Sequence, residues 1–225
     1  MKKQYAVIGL GRFGHAVATT LTEMGCEVLA IDVSEEKVSK LADLVTYAVV
    51  LDAMDEKALH SVSIQNVDVA IVSIGENIEA SILVVMMLKE MGVKYLVAKA
   101  VTPLHGRVLE NLKVDRIVYP ERDMAIRVAH SLIRPSIVDQ LELSPEYSII
   151  ELPAPPAMEG KSVRESQLRT QYRVNLIAIK RAGGTDQEKW NVNPHPSDII
   201  RKGDLLVLIG LTSDLERLSS DHTAA

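Results

Sequence analysis

Cysteine is nearly absent from this chain. Cys26 is the only one in 225 residues, so no disulfide can form within the chain and a reducing compartment fits. It lies between a helical segment and a strand with no paired motif, and reads as a packed core thiol rather than a nucleophile. Positive charge is also scarce. Lys and Arg number 25 against 30 Asp and Glu, a net charge of −5, and no basic cluster is interleaved with aromatic residues. That excludes the electrostatic footprint of a nucleic-acid binder. Apolar runs are short: Ile82 to Leu88 and Leu205 to Leu211 are the longest, far below the roughly 20 residues of a membrane span. Two lysines near the amino terminus lead straight into a strand pattern, without a signal-peptide core or cleavage site. The chain is therefore expected to be soluble and cytoplasmic, with any membrane part supplied by another chain. Catalytic constellations are missing too. There is no Ser/His/Asp nucleophile elbow, no Cys/His metal cluster and no Walker loop. His15, His60, His105 and His130 stand singly on helical segments and read as surface or packing residues, and His195 lies between Pro194 and Pro196 in a loop.

What is present begins at residue 4. A short apolar run, Gln4-Tyr-Ala-Val-Ile8, feeds Gly9-Leu-Gly11-Arg-Phe-Gly14, a Gly-x-Gly-x-x-Gly turn. Gly9 permits the tight turn, Gly11 lets backbone approach a pyrophosphate, and Gly14 lets the next helix pack close, with its N–H groups toward the anion. A helical segment follows, then a second strand, Glu27 to Asp32. Asp32 falls 18 residues after Gly14, where a ribose-binding carboxylate is expected. The motif in this context points to an adenine mononucleotide or dinucleotide.

The pattern alternates strand and helix through residue 134. Strands are expected at Tyr5–Ile8, Val28–Ile31, Ala48–Leu51, Val67–Ser73, Tyr95–Ala98 and Arg116–Tyr119, and helices at 12–25, 35–43, 55–61, 77–92, 104–112 and 121–134. Six βα units make an α/β, Rossmann-like, doubly wound parallel sheet, which binds ligands at the carboxyl ends of its strands. Residues 1–134 form this domain and 135–144 a linker. A smaller α+β domain spans 145–217, with strands at Tyr147–Leu152, Asn175–Lys180 and Leu205–Ile209, a helix near 162–171, and turns at Gly183-Gly184 and Gly203-Asp204. Residues 218–225 read as a flexible tail. Segment 77–92 is apolar almost all round: Ile78, Ile82, Val85 and Met86 form a stripe, and Leu83, Val84, Met87 and Leu88 fill the remainder. A surface helix needs one apolar face, so this helix implies a second copy of the chain.

These residues carry a family. The chain resembles the cytoplasmic regulatory subunits of Ktr/Trk-type potassium uptake systems, the TrkA family, built from RCK (KTN) amino- and carboxyl-terminal domains. The resemblance rests on Ala6–Gly14, Ile31-Asp32, Leu51-Asp-Ala53, Val72–Ser81, Val97-Ala-Lys-Ala100 and Tyr119-Pro-Glu-Arg-Asp-Met124, together with Asn175–Arg181 and Gly203–Gly210. It implies an octameric ring peripheral to the cytoplasmic face of the cell membrane, beneath an integral-membrane potassium transporter. ATP or ADP in the Rossmann cleft would change the ring and gate ion flux, with no enzymatic activity. It implies that Arg12 reads the terminal phosphate through its planar guanidinium, and that Asp52 and Ala53 line the adenine. Asp32 would accept the ribose hydroxyls. Phe13, Ser73, Ile74, Gly75 and Asn77 are expected to line the cleft beside the glycine turn, and Lys99, alone after an apolar strand, is a candidate phosphate or ribose partner or else a lysine reaching to solvent. Glu121, opening a helix near the polyphosphate end, is a candidate ligand for Mg²⁺ or another cation between subunits. Some relatives of this kind bind cyclic di-AMP between paired carboxyl-terminal domains, and Arg169, Asn175 and Pro194 stand at candidate contact positions around the strand Asn175–Lys180, where routine loop and cap chemistry is the alternative. Asp32 admits NAD or NADH as readily as ATP. An NAD(H)-responsive regulator and a small NAD-dependent oxidoreductase therefore stand as alternatives, the second weakened by the missing proton donor.

Overall fold

A computed structural model describes residues 3–133, 137–182 and 190–221. The chain divides into two compact units, Met1–Met124 and Ala125–Ala225. In the first, β1 (Gln4–Ile8), α1 (Arg12–Glu23), β2 (Glu27–Asp32), α2 (Glu35–Ser39), β3 (Tyr47–Val50), α3 (Glu56–Ser61), β4 (Val69–Val72), α4 (Ile78–Glu90), β5 (Leu96–Lys99), α5 (Pro103–Asn111) and β6 (Arg116–Val118) alternate, and α6 (Pro120–Ile133) follows. All six strands pair in parallel in the order β3-β2-β1-β4-β5-β6. The order reverses between β1 and β4, and their carboxyl ends open the crevice in which such sheets bind ligands. Continuous apolar strands such as Ala6-Val7-Ile8 and Ala70-Ile71-Val72 are buried because helices cover both faces of the sheet. Each expected strand and helix of this half is present, with ends shifted by a few residues.

The helices start where the sequence supplies caps. Ser34, Asp55, Asn77 and Thr102 each accept a backbone N–H from the first turn of α2, α3, α4 and α5. On α4, Ala80, Ser81, Val84, Val85 and Leu88 are buried against the unit's own core, while Leu83 and Met86 are exposed.

In the second unit an antiparallel sheet joins β7 (Asp139–Glu142), β8 (Tyr147–Pro153), β9 (Asn175–Lys180), β10 (Trp190–Val192) and β11 (Leu205–Leu211) in the order β10-β9-β11-β8-β7. Helices α7 (Leu168–Gln171) and α8 (Thr212–Asp221) complete it. Several expectations need correction. The stretch 135–144, read as a linker, carries β7, whose residues pair with β8 from Asp139↔Glu151 to Glu142↔Ser148. The helix expected near 162–171 is only the four residues of α7. Ser162 instead bridges to Ile199, and Gln167 sits at φ 52, a left-handed conformation that ends any helix running through it. Residues 218–221, read as tail, belong to α8, where Leu215 and Leu218 are buried one helical turn apart. The Arg134–Ser136 break and the Gly183-Gly184 turn lie outside the described residues.

Leu218 gives a direct test. Leu218→Ala is expected to destabilise the second unit by about 3 kcal/mol, the usual cost of emptying a buried leucine site. Denaturant titration followed by fluorescence of Trp190, the single tryptophan, reads the change. A frayed tail would give no shift.

Candidate functional site

The glycine turn is built by contact. Gly9 takes φ +91, and its N–H donates to Ile31 O at 2.8 Å, tying the turn to the end of β2. A Cβ on Gly14 would stand 1.9 Å from Gly9 O and 2.5 Å from Ser73 Oγ. Ser73 Oγ itself donates to Gly9 O, so the ends of β1 and β4 and the first turn of α1 close on one another. Gly11 is the N-cap of α1, with no side-chain cap and no acidic residue in the first turn. The first N–H groups of that helix and its positive dipole end are thus left for an anion. A Cβ on Gly11 would meet nothing within 4 Å.

Around this turn lies a cavity of ≈ 620 Å³, within the usual size of small-molecule sites. Of the residues expected to bind, Gly9, Gly11, Arg12, Phe13, Asp32, Asp52, Ala53, Ser73, Ile74, Gly75, Asn77, Lys99 and Glu121 all line it. Gly14 stands behind the wall and sets its shape. Ile8, Ile31, Leu51 and Val84 add apolar surface.

Several polar groups on the wall are held by neighbours. Asp32, 7% exposed, accepts the Leu10 N–H on Oδ2 at 2.7 Å and the Ser34 N–H on Oδ1 at 2.9 Å. Lys37 Nζ stands 3.5 Å from Oδ2. Those bonds fix the carboxylate at the wall of the cavity, with lone pairs left for hydroxyl donors. Asp52 Oδ1 accepts the Met54 N–H at 2.9 Å, and Asn77 Oδ1 accepts the Ala80 N–H at 3.0 Å. Both side chains therefore shape their loops as well as line the cavity. Lys99 Nζ lies 2.6 Å from Glu121 Oε1. The hydrogen bond from Lys99 first, then the Glu121 backbone N–H, with the charges of Lys99 and Arg12 adding less, hold the Glu121 carboxyl below its ordinary range, against burial, which raises it.

Lys37 is a cationic lining residue that the motif reading missed, alongside apolar ones such as Ile8, Ile31, Leu51 and Val84. Its position, five residues past Asp32 on the first turn of α2, was the available signal. The cation site expected at Glu121 is not assembled within one chain. Its carboxylate is held by Lys99, and among the described residues no group of three His, Cys, Asp or Glu side chains is placed to hold a metal. His105 is buried, with Nδ1 accepting the Val101 N–H and Nε2 without a partner, which fits packing and not proton transfer. The His130 side chain lies outside the described residues.

In the second unit Arg169 Nε donates to Asn175 Oδ1 at 2.7 Å. Asn193 N–H donates to Ile177 O at 2.8 Å, which brings the Pro194 loop alongside β9. His195 is exposed, and its Nδ1 contacts Ser197 Oγ at 2.7 Å within its own loop. Among the described residues no helix is long and apolar enough to cross a membrane.

Residues 5–120 match the TrkA-N domain and residues 147–221 the TrkA-C domain. The chain is 42% identical over 217 residues to the Ktr system potassium uptake protein C of Bacillus subtilis, covering 96% of both chains. It is 34% identical over 208 residues to the Ktr system potassium uptake protein A of Vibrio alginolyticus, covering 92% of both. Among solved structures, the RCK domain of GsuK superposes with a TM-score of 0.55 at 24% identity, over 99% of this chain and 47% of that one.

Proposed function

Because the chain belongs to the family of Ktr-type potassium-uptake regulatory subunits built from TrkA-N and TrkA-C domains, we propose that it senses adenine nucleotides and gates a membrane potassium transporter. One observation carries this reading. A helix start free for anions, an arginine, a lysine and a hydroxyl-accepting carboxylate line a single cavity, which the crevice of the sheet makes continuous. ATP and ADP compete for it, and Arg12, exposed at the first position of α1, is the group that tells them apart. The chain acts without catalysis, as a cytoplasmic subunit at the inner face of the membrane, bound to an integral-membrane transporter.

Gating requires differential binding. A nucleotide shifts the population of two shapes only by the difference in its affinity for them. Driving a switch from nearly all one state to nearly all the other takes about 5.5 kcal/mol. An octameric ring would distribute that over eight cavities, so less than about 1 kcal/mol per site suffices. Oligomerisation is supported by apolar side chains left exposed on helices, Leu83 and Met86 on α4 and Met124, Ile126 and Leu132 on α6. A cation at Glu121 would need the phosphates of the nucleotide and the carboxylate of a second copy to complete its oxygen ligands. Cyclic di-AMP is a second ligand for paired carboxyl-terminal units, with Arg169, Asn175 and Pro194 as its contacts.

Arg12→Ala tests the assignment. It is expected to leave ADP affinity within about threefold while lowering ATP affinity tenfold or more, the scale of one charge-assisted hydrogen bond. Calorimetric titration of both nucleotides reads the difference, and an equal loss for both would contradict the role. Asp32 also keeps a redox reader of NAD(H) in view, which the same titration with NADH separates.

A further inference from the structure

The fold of the second unit gathers positive charge that the sequence scatters. The sheet order puts β10 at an edge, where Trp190 pairs with Lys180 and Val192 with Ala178. Directly opposed residues of an antiparallel pair share a face, as do alternate residues of one strand. Lys180, Trp190 and Val192 therefore stand on one face, with the Lys180 ammonium 5.2 Å from the centre of the Trp190 ring. The turn leading into β11 brings two more cations to the same end of β9. Leu205 pairs with Lys180, and a Cβ on Gly203 would stand 3.3 Å from Ala182 Cβ. Arg201 and Lys202, both exposed, open that turn.

The acids beside them are already engaged. Asp204, 1% exposed, takes the Arg181 guanidinium and the Arg201 N–H. Asp198 accepts Asn191 Nδ2 and the His195 N–H, each at 2.8 Å. Among the described residues no carboxylate pairs with Lys180, Arg201 or Lys202. Apolar side chains lie open at the same rim: Trp190 is 42% exposed, Val192 67% and Ile199 42%. Ile199 belongs there because its carbonyl accepts Arg181 Nη1 at 2.8 Å.

We propose that this rim docks on an anionic lipid surface. Lys180, Arg201 and Lys202 meet the headgroup phosphates, and Trp190, Val192 and Ile199 enter the boundary between headgroups and acyl chains. An indole, apolar with one polar edge, settles at that depth. Each Lys or Arg near an anionic surface raises partitioning about fivefold, so three together give about a hundredfold. An acidic protein strand would meet the same cations, but β10 offers it only three residues to pair with. A fluid bilayer needs no such register. The rim lies wholly in the second unit, at the end of β9 away from Asn175, and does not rest on the nucleotide reading.

Trp190, the single tryptophan, reports the contact. The full chain is mixed with vesicles of equimolar phosphatidylglycerol and phosphatidylcholine, or of phosphatidylcholine alone, and followed by emission and co-sedimentation. A blue shift and sedimentation are expected with the anionic vesicles at low salt. Neither is expected with phosphatidylcholine alone, and high salt should release the protein as the charges are screened. Arg201→Glu combined with Lys202→Glu should lower partitioning roughly a hundredfold, and Lys202→Gln alone about fivefold. Circular dichroism without lipid should match the parent for both, since neither side chain has a partner to lose. No response to anionic vesicles, an equal response to phosphatidylcholine alone, or undiminished binding by the folded variants would overturn the proposal. Binding of polyglutamate where vesicles give no response would overturn it in favour of an acidic protein partner.

Discussion

Gly14→Ala is expected to abolish nucleotide binding and to destabilise the first unit by about 3 kcal/mol, the upper end of the ordinary cost of overpacking. The reason is geometric. The added methyl would fall 1.9 Å from Gly9 O and 2.5 Å from Ser73 Oγ. The nearer atom belongs to backbone fixed by the Gly9 N–H bond to Ile31 O, so it cannot swing aside as a long side chain would. To relieve the clash α1 must retreat from the sheet, and its free N–H groups retreat with it. Gly11→Ala is the control, because its methyl meets nothing within 4 Å. It is expected to fold with stability within about 1 kcal/mol of the parent, the scale of a change at a helix cap, and yet to lose binding, because the open space it enters is where phosphate belongs. Urea titration followed by circular dichroism and calorimetry on both variants separate the two effects. A Gly14→Ala protein as stable as the parent would contradict the packing described for the turn.

Asp32→Ala is expected to lower affinity for every adenine nucleotide about 100-fold, the worth of a hydrogen bond to a charged group or two. Stability falls as well. The carboxylate accepts the Leu10 and Ser34 N–H groups, and each partly or wholly buried donor left without an acceptor costs about 1–3 kcal/mol. ATP, ADP and NADH share the ribose hydroxyls, so all three should weaken together. A ligand carrying a phosphate on that ribose should weaken least, since the charge that repels it is gone. Titration of Asp32→Ala with the four ligands checks this. Unchanged ATP affinity would remove Asp32 from the site and leave it as a brace for the loop.

The first unit was legible because its signals are local and repeated. Gly9 to Gly14, Asp32 at the end of an apolar strand, and the lone Lys99 after another each announce a position in a doubly wound sheet, and the cavity gathers them. Lys37 was missed because it belongs to no motif, and only the fold brings its ammonium to Asp32. The second unit was harder for physical reasons. β7 and β10 have four and three residues, too few for a period-two pattern to stand out, and they exist through pairing with β8 and β9. Helix α8 is polar along most of its length, and just Leu215 and Leu218, one turn apart, mark the side it buries. The supposed helix near 162–171 failed at Gln167, where a left-handed backbone that nothing in the residue type demands stops the turn.

The most direct test of the central claim is calorimetric titration of the purified chain with ATP, ADP, NAD⁺ and NADH, with and without Mg²⁺. The account predicts tight binding of ATP and ADP, both competing for one site, with Mg²⁺ strengthening ATP alone. Preference for NADH over both adenosine phosphates would contradict it.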